Sequence, residues 1–478
     1  MLFWYAMIVF FGTYILIASE KVHKTVAALL GAMLMLIVVL EGPVHENVGQ
    51  SGHAPITEVI EHALDSLQQR SQLRAEVTRK FEQSERYTRL DMFARYANFD
   101  VVFTLAGMMI LVNILSGTGL FQFIAIKCAK FARGSPTRTM VLLVLATAIL
   151  SAFLDNVTTI LLVAPVTLLV ATELDVPPLP FLMAETIASN IGGTATLIGD
   201  PPNLIIGSIA NLNFLSFIIN LLPFIAILLV LYCFVLWHHY RRRMIVTVDK
   251  RARIMDLDER QAITDPVNLR RGCIVMAFTI GGFLIHGMMH IQPCVVAMSG
   301  ATAGMLCCRV NVDHALEKIE WSTLFFFTGL FIVVNGADHA GVMAYFGSLL
   351  KFTHHWNPLL VILLVMWISG IGAAITNNVS YTAAMVTIIA AFLHQAPLFQ
   401  GNLEIQHLMW WGLALSVCLG GNGTLVGAAA NLVTAGIAGK AGIHISFRDY
   451  LRYGAPVTLG TMIVASLYII GRYFLLCH

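Results

Sequence analysis

Asn190-Ile191-Gly192-Gly193-Thr194-Ala195-Thr196-Leu197-Ile198-Gly199-Asp200-Pro201-Pro202-Asn203 interrupts an apolar run that extends from residue 181 to 212. Its glycines permit irregular backbone, Pro201-Pro202 stops a helix, and Asn203 can cap the next one. A run this long and apolar belongs in a bilayer, where unwound backbone persists only if it lines a cavity, because lipid cannot satisfy freed amides. The stretch therefore reads as a broken membrane helix beside a site.

The rest of the chain agrees. Of 478 residues, 58% are hydrophobic and only 12% charged, with a mean hydropathy of +0.78, whereas soluble domains are about 25% charged. Two polar islands, 41–97 with 16 charges and 238–271 with 14, hold 30 of the 56 charged residues. Apolar runs fall at about 3–18, 24–40, 101–116, 138–172, 181–212 and 213–237, then at 272–288, 293–308, 321–336, 357–394, 408–438 and 454–474. The pattern is that of an all-α polytopic membrane protein. It excludes a soluble enzyme and a secreted disulfide scaffold, and a net charge of +2 offers no face for nucleic acid. The eight cysteines show no CxxC spacing, so neither a metal nor another cofactor is expected.

Basic residues set the orientation. The 238–271 loop, with Arg241, Arg242, Arg243, Lys250, Arg251 and Arg253, belongs in the cytoplasm, and counting spans from it puts Lys127, Lys130, Arg309, Lys318 and Lys440 on the same side. The 41–97 insert, helix-like from Ile56 to about Tyr96, falls outside the cell. The expected location is a multi-pass cell (inner) membrane.

The halves repeat each other. An offset of 222 carries Gly107 to Gly329, Asn113 to Asn335 and Asn156-Val157 to Asn378-Val379; an offset of 228 carries Gly193 to Gly421, Thr196-Leu197 to Thr424-Leu425 and Asn203-Leu204 to Asn431-Leu432. Each half holds five spans, one re-entrant hairpin and one broken helix. An odd number of spans inverts the second copy. The domains are then 1–237, the first inverted repeat with its extracytoplasmic insert; 238–271, a cytoplasmic linker; and 272–478, the second repeat. Inverted repeats with broken helices describe a secondary transporter with a midplane site.

Four polar breaks define that site: the hairpin tips Asp155-Asn156-Val157-Thr158 and Asn377-Asn378-Val379-Ser380, and the unwound segments from Asn190 to Asn203 and from Gly420 to Asn431. The candidate substrate- or ion-binding side chains are Asp155, Asn156, Thr158, Asn190, Thr194, Thr196, Asp200, Asn203, Asn377, Asn378, Ser380, Asn422, Thr424 and Asn431. Within these segments Asp155 and Asp200 are the only charged residues, and no Lys, Arg or His accompanies them. An intramembrane carboxylate costs at least ~2.5 kcal/mol if charged and unpaired, so both acids are expected to carry a proton or meet a cation, or else to cap a helix. Without a basic partner the site favours a neutral or cationic solute. Glu185 either joins a proton path or packs between helices.

Ser151-Ala152-Phe153-Leu154-Asp155-Asn156-Val157-Thr158-Thr159, Ser189–Gly193, Ile198–Asn203 and Gly420–Gly427 resemble the arsenite permease / melanosomal P-protein family of the ion-transporter superfamily, over about 98–475. The resemblance implies proton-coupled efflux of arsenite or antimonite by a homodimer in which a transport domain moves against a scaffold. Asn377 stands where many members of that family carry Asp. Near neutral pH arsenite is an uncharged trihydroxy species that Asn, Thr and backbone groups can bind, and Cys418 could meet a thiophilic metalloid. Three alternatives stay open: a sodium/proton antiporter, sodium-coupled uptake of a carboxylate or other anion, and an ATPase-driven role with a cytoplasmic ATPase on the 238–271 loop. The expected partners are a small inorganic solute, protons or sodium, and membrane lipid.

Overall fold

A computed structural model describes residues 2–19, 22–39, 96–244, 246–256, 258–349, 353, 356–396, 399 and 401–476. The helix expected from Ile56 to about Tyr96 lies, but for its end, outside the described residues.

Among the described residues the chain is helical throughout, and eight helices are long and apolar enough to cross a membrane. The first half runs α1 (Leu2–Ser19), α2 (Lys24–Val39), α3 (Phe99–Ser116), α4 (Leu120–Phe131), α5 (Pro136–Phe153), α6 (Asn156–Glu173), α7 (Leu179–Gly193), α8 (Pro201–Ala210) and α9 (Phe214–Tyr240). A short α10 (Val248–Asp256) and a 3-10 turn, Glu259–Ala262, follow. Then come α11 (Pro266–Ile285), α12 (Pro293–Cys308), α13 (Val312–Glu317), α14 (Trp321–His339), α15 (Val342–Leu349), α16 (Pro358–Thr376), α17 (Asn378–Gln395), α18 (Leu403–Gly420), α19 (Ala429–Lys440) and α20 (Phe447–Leu476).

The offset read from the sequence reappears in the helix boundaries. Shifted by 222, α5 starts where α16 starts and α6 coincides with α17; shifted by 228, α8 starts where α19 starts. The 138–172 run breaks at Leu154-Asp155 into the hairpin α5–α6, and the 357–394 run breaks at Asn377 into α16–α17.

Packing exchanges elements between the halves. α12 lies along α3, and α2 lies along α14. The seams are equivalent: a Cβ on Gly107 would sit 2.7 Å from the Ala297 backbone, and one on Gly329 would sit 2.8 Å from that of Ala28. Glycine permits both approaches. In the rest of the molecule α5 packs on α7 and α16 on α18, while α8 lies against α17 and α19 against α6. Each half's broken helix thus ends on the other half's hairpin. That arrangement gathers all four breaks in one place.

One sequence expectation needs correcting. The segments expected to be unwound are trimmed at both ends: Asn190–Gly193 and Pro201–Asn203 are helical in α7 and α8, which leaves 194–200 irregular, and Gly420 and Ala429–Asn431 are helical in α18 and α19, which leaves 421–428. For α7 the reason is close packing. A Cβ at Gly192 would lie 2.1 Å from the Ala148 carbonyl oxygen, so the helix must run intact along α5 to that point.

The 238–271 loop is docked. Ile254 is buried with Ala129, Val170 and Leu174, Lys250 pairs with Asp175, Lys130 Nζ lies 2.5 Å from Glu259 Oε2, and the Thr264 amide donates to the Thr118 carbonyl at 3.1 Å. Hydrogen bonds from the lysines hold the Asp175 and Glu259 carboxyls below the usual carboxylate range.

Candidate functional site

The irregular segments are held by a hydrogen-bond pattern that recurs in both halves. Asn203, inside α8, turns its side-chain amide onto the carbonyls of Gly193, Thr194 and Thr196 at 3.3, 3.2 and 2.8 Å. Asn431, inside α19, does the same to Gly421 and Thr424, both at 2.8 Å. The Thr196 hydroxyl donates to the Ala152 carbonyl, and the Thr424 hydroxyl to that of Ala374 at 2.5 Å. Asn203 therefore does not cap the next helix, as its place after Pro201-Pro202 suggested. It closes the loop behind it, which satisfies backbone that lipid could not. Thr194 belongs to the same loop, its hydroxyl bonded to the Asn190 carbonyl at 2.7 Å.

A second set of bonds joins the halves. The Asn190 amide donates to Asn422 Oδ1 at 2.9 Å and Asn431 Oδ1 at 3.1 Å, and its own Oδ1 accepts from Asn156 at 2.9 Å. Asn156 also donates to Asp200 Oδ1 at 3.2 Å, and Asn378 reaches both Asp200 oxygens at 3.4 and 3.3 Å. Asp200 occupies the N-cap position of α8 but makes no capping bond, and it is fully buried. The capping alternative is thus set aside for Asp200. Amides from both hairpin tips converge on it.

Asp155 is half-buried and does cap its helix. Its Oδ1 accepts the Thr158 amide at 2.9 Å, and its Oδ2 accepts the Thr158 hydroxyl at 2.5 Å. Asn377, its counterpart, caps α17 through the Val379 amide at 3.1 Å, from a backbone with φ +93°. Few residues other than glycine adopt positive φ, and asparagine is one of those enriched there.

The two tips and α8 border a cavity of about 370 Å³. Of the expected side chains, Asp155, Asn156, Asp200, Asn377 and Asn378 line it. Thr158, Asn190, Thr194, Thr196, Asn203, Asn422, Thr424 and Asn431 stand behind that wall as its support, and Ser380 faces a neighbouring cavity. The opposite wall brings a correction. Lys24, at the start of α2, and Glu320, just before α14, face the same space. The broken segments themselves hold no cation. Helix packing supplies one from a part of the chain far away in sequence, and the argument against an anionic solute loses its basis. Both residues sit at span ends. No local motif marks Lys24.

Two other side chains resolve. Glu185 is buried away from the cavity, and the Thr167 hydroxyl meets its two oxygens at 2.7 and 2.9 Å. Cys418 is buried against Asn203 Oδ1 at 3.4 Å, outside the cavity wall, so the suggested thiol contact with a solute does not fit. Among the described residues no group of three His, Cys, Asp or Glu side chains could hold a metal.

Comparison with known proteins gives this arrangement a context. An uncharacterized transporter of Mycobacterium tuberculosis is 37% identical over 99% of this chain and 99% of its own length. The human P protein is 30% identical over 96% of this chain, which spans 58% of that longer protein. The crystal structure of the Alcanivorax borkumensis YdaH transporter shares the fold, with a TM-score of 0.56 over 95% of this chain and 99% of that one, at 13% identity. A family model described as citrate transporter matches residues 14–414. The chain is therefore a multi-span membrane transporter and not an enzyme, and it belongs to the citrate transporter family, CitMHS.

Proposed function

We propose that the protein is a cation-coupled secondary transporter for a small carboxylate, with its site in the cavity between the hairpin tips. The observation that carries this is the joint lining of that cavity by Asp155, Asp200, Glu320 and Lys24. Three acids facing one lysine need protons or a metal cation before an anion can enter, because uncompensated charge at membrane depth is costly. Coupling follows from that requirement. Asp155 and Asp200 are the carriers, and the family description, citrate transporter, supports a carboxylate as cargo. In this reading residues 1–237 and 272–478 are repeats of inverted topology in a cell (inner) membrane, the 238–271 loop is cytoplasmic, and the protein acts as a homodimer.

The neutral second tip, Asn377 and Asn378, favours a second reading: proton-coupled efflux of uncharged arsenite or antimonite, as the resemblance to arsenite permeases implies. A sodium/proton antiporter needs only the acids. One experiment separates the three. Purified protein in proteoliposomes is offered citrate, then arsenite, then sodium, while internal pH and labelled solute are followed, with Asp155→Asn alongside. Citrate flux that is lost in the variant supports the carboxylate reading. Proton movement elicited by arsenite alone or sodium alone replaces it with the corresponding rival.

A further inference from the structure

A second cavity, of about 230 Å³, shares Lys24, Phe326, Asn377 and Leu432 with the wall of the first. The two differ in charge. The first carries Asp155, Asp200 and Glu320; the second carries His23, Thr376 and Ser380 and no carboxylate. Lys24 therefore stands between an acidic lobe and one without acid.

Its position is fixed. The Thr25 hydroxyl donates to the Ser322 carbonyl at 2.8 Å, and one turn further on, the Ala28 backbone meets Gly329. The ammonium lies 5.2 Å from the centre of the Phe326 ring. Glu320 lines the same cavity, yet among the described residues Lys24 forms no ion pair within 4 Å, and Glu320 is held by the Thr323 hydroxyl at 3.1 Å. The lysine is supported but not neutralised.

Ser380 supplies an independent sign. It is 1% exposed, and its hydroxyl has no hydrogen-bond partner. Its counterpart in the first half, Thr158, donates to Asp155 Oδ2. In the second half an amide, Asn377, stands in place of the acid, and its Oδ1 already accepts the Val379 amide. The change from Asp to Asn thus leaves a buried donor unpaired at the start of α17, where the helix terminus also favours negative charge. Buried hydroxyls without a partner are costly, and an anionic oxygen beside Lys24 would satisfy this one.

We propose that the second cavity is an anion subsite, in which Lys24 and Ser380 receive a carboxylate group of the solute while the coupling cation stays with Asp155 and Asp200. This rests on the transporter reading above and deepens it. An uncharged trihydroxy solute would gain little from the lysine.

The test is calorimetric titration of the full-length protein in lipid nanodiscs with citrate, succinate and, as an uncharged reference, arsenite. Lys24→Gln should weaken citrate binding at least about tenfold and Ser380→Ala about threefold, while Lys24→Arg keeps most of it. Thermal midpoints of the variants show that they are folded. If both Lys24→Gln and Ser380→Ala bind citrate like the wild type, the subsite is overturned and the transporter reading stands. If the wild type binds neither citrate nor succinate, the subsite falls as a carboxylate site. Proteoliposome flux then judges the transporter reading separately: movement of arsenite or sodium keeps it, and no movement of any solute removes it.

Discussion

The two hairpin tips are built on one plan and differ in what they carry. The first presents Asp155 and, across the loop, Asp200; the second presents Asn377 and, at the position matching Asp200, Ala428. Their supports are alike: Asn203 and Asn431 close their loops with the same bonds, and Thr196 and Thr424 tie those loops to α5 and α16. The pair teaches that the scaffold and the charge are separable. Buried backbone left unpaired must be satisfied in both halves, so its partners recur; no such need fixes the acids of the tips and loops, and they occur in the first half alone.

The largest effect expected from breaking this comparison is at the acids. Asp200→Asn replaces one of the two carboxylate oxygens on which the Asn156 and Asn378 amides converge by a donor, and leaves Asp155 as the one acid at the two tips and their loops. Coupled flux in proteoliposomes should fall by about 100-fold or more, while the variant elutes as a folded protein, since an amide replaces a carboxylate of the same shape. Asn377→Asp, which gives both hairpin tips an acid while Ala428 stays neutral opposite Asp200, should alter the number of cations moved per solute and leave the fold intact.

Next in size are substitutions that should cost both halves equally. A Cβ at Gly192 would lie 2.1 Å from the Ala148 carbonyl oxygen, and one at Gly420 would lie 2.4 Å from that of Gly370. Gly192→Ala and Gly420→Ala should each destabilise by about 3 kcal/mol, read as a drop in thermal midpoint. A large difference between them would show that the seams α5–α7 and α16–α18 are not equivalent. Asn190 and Cys418 occupy equivalent positions and should part company. Asn190 makes three bonds to neighbouring asparagines, whereas the Cys418 thiol, a weak donor, meets Asn203 Oδ1 at 3.4 Å and lies beside Asp200 and Thr194. Asn190→Ala should cost about 3 kcal/mol and Cys418→Ala about 1 kcal/mol in the same assay.

Much of this was legible in the sequence because membrane depth leaves few options. Helix breaks at Asp155-Asn156, within Asn190–Asn203 and at Asn377-Asn378 announce themselves as polar residues in apolar runs, though the bounds of the middle one do not. The offset of 222 already paired Asn156 with Asn378 before any coordinates. What stayed hidden depends on packing. That α2 lies along α14, and so brings Lys24 to the tips, has no local signature, because Lys24 looks like any basic residue flanking a span. The role of Asn203 was misread for a related reason: sequence shows that it follows a helix stop but not which way its amide turns. The loop conformation needed three carbonyls satisfied, and that need decided the direction.

The smallest effect concerns the docked loop, which joins the two halves and is repeated in neither. Thr264 ties its end to Thr118, and two forces hold its 248–262 stretch: burial of Ile254 against Ala129, Val170 and Leu174, and the pairs Lys250–Asp175 and Lys130–Glu259. Both carboxyls are depressed by hydrogen bonds from their lysines, so the pairs contribute fully above the ordinary carboxylate values of about 4. As pH falls below that, the undocked carboxylates take up protons first, and the contribution is lost as pH passes through the lowered docked values. Exposed pairs are screened by water, so the change should be modest. Hydrogen exchange over 248–262, corrected for intrinsic rates, should show some loss of protection between pH 6 and pH 3, with α6 unaffected. Ile254→Ser should remove that protection at every pH, since a buried hydroxyl replaces the apolar anchor. If acid leaves the loop as protected as before, the apolar contact alone holds it, and the lysine pairs only fix where it lies.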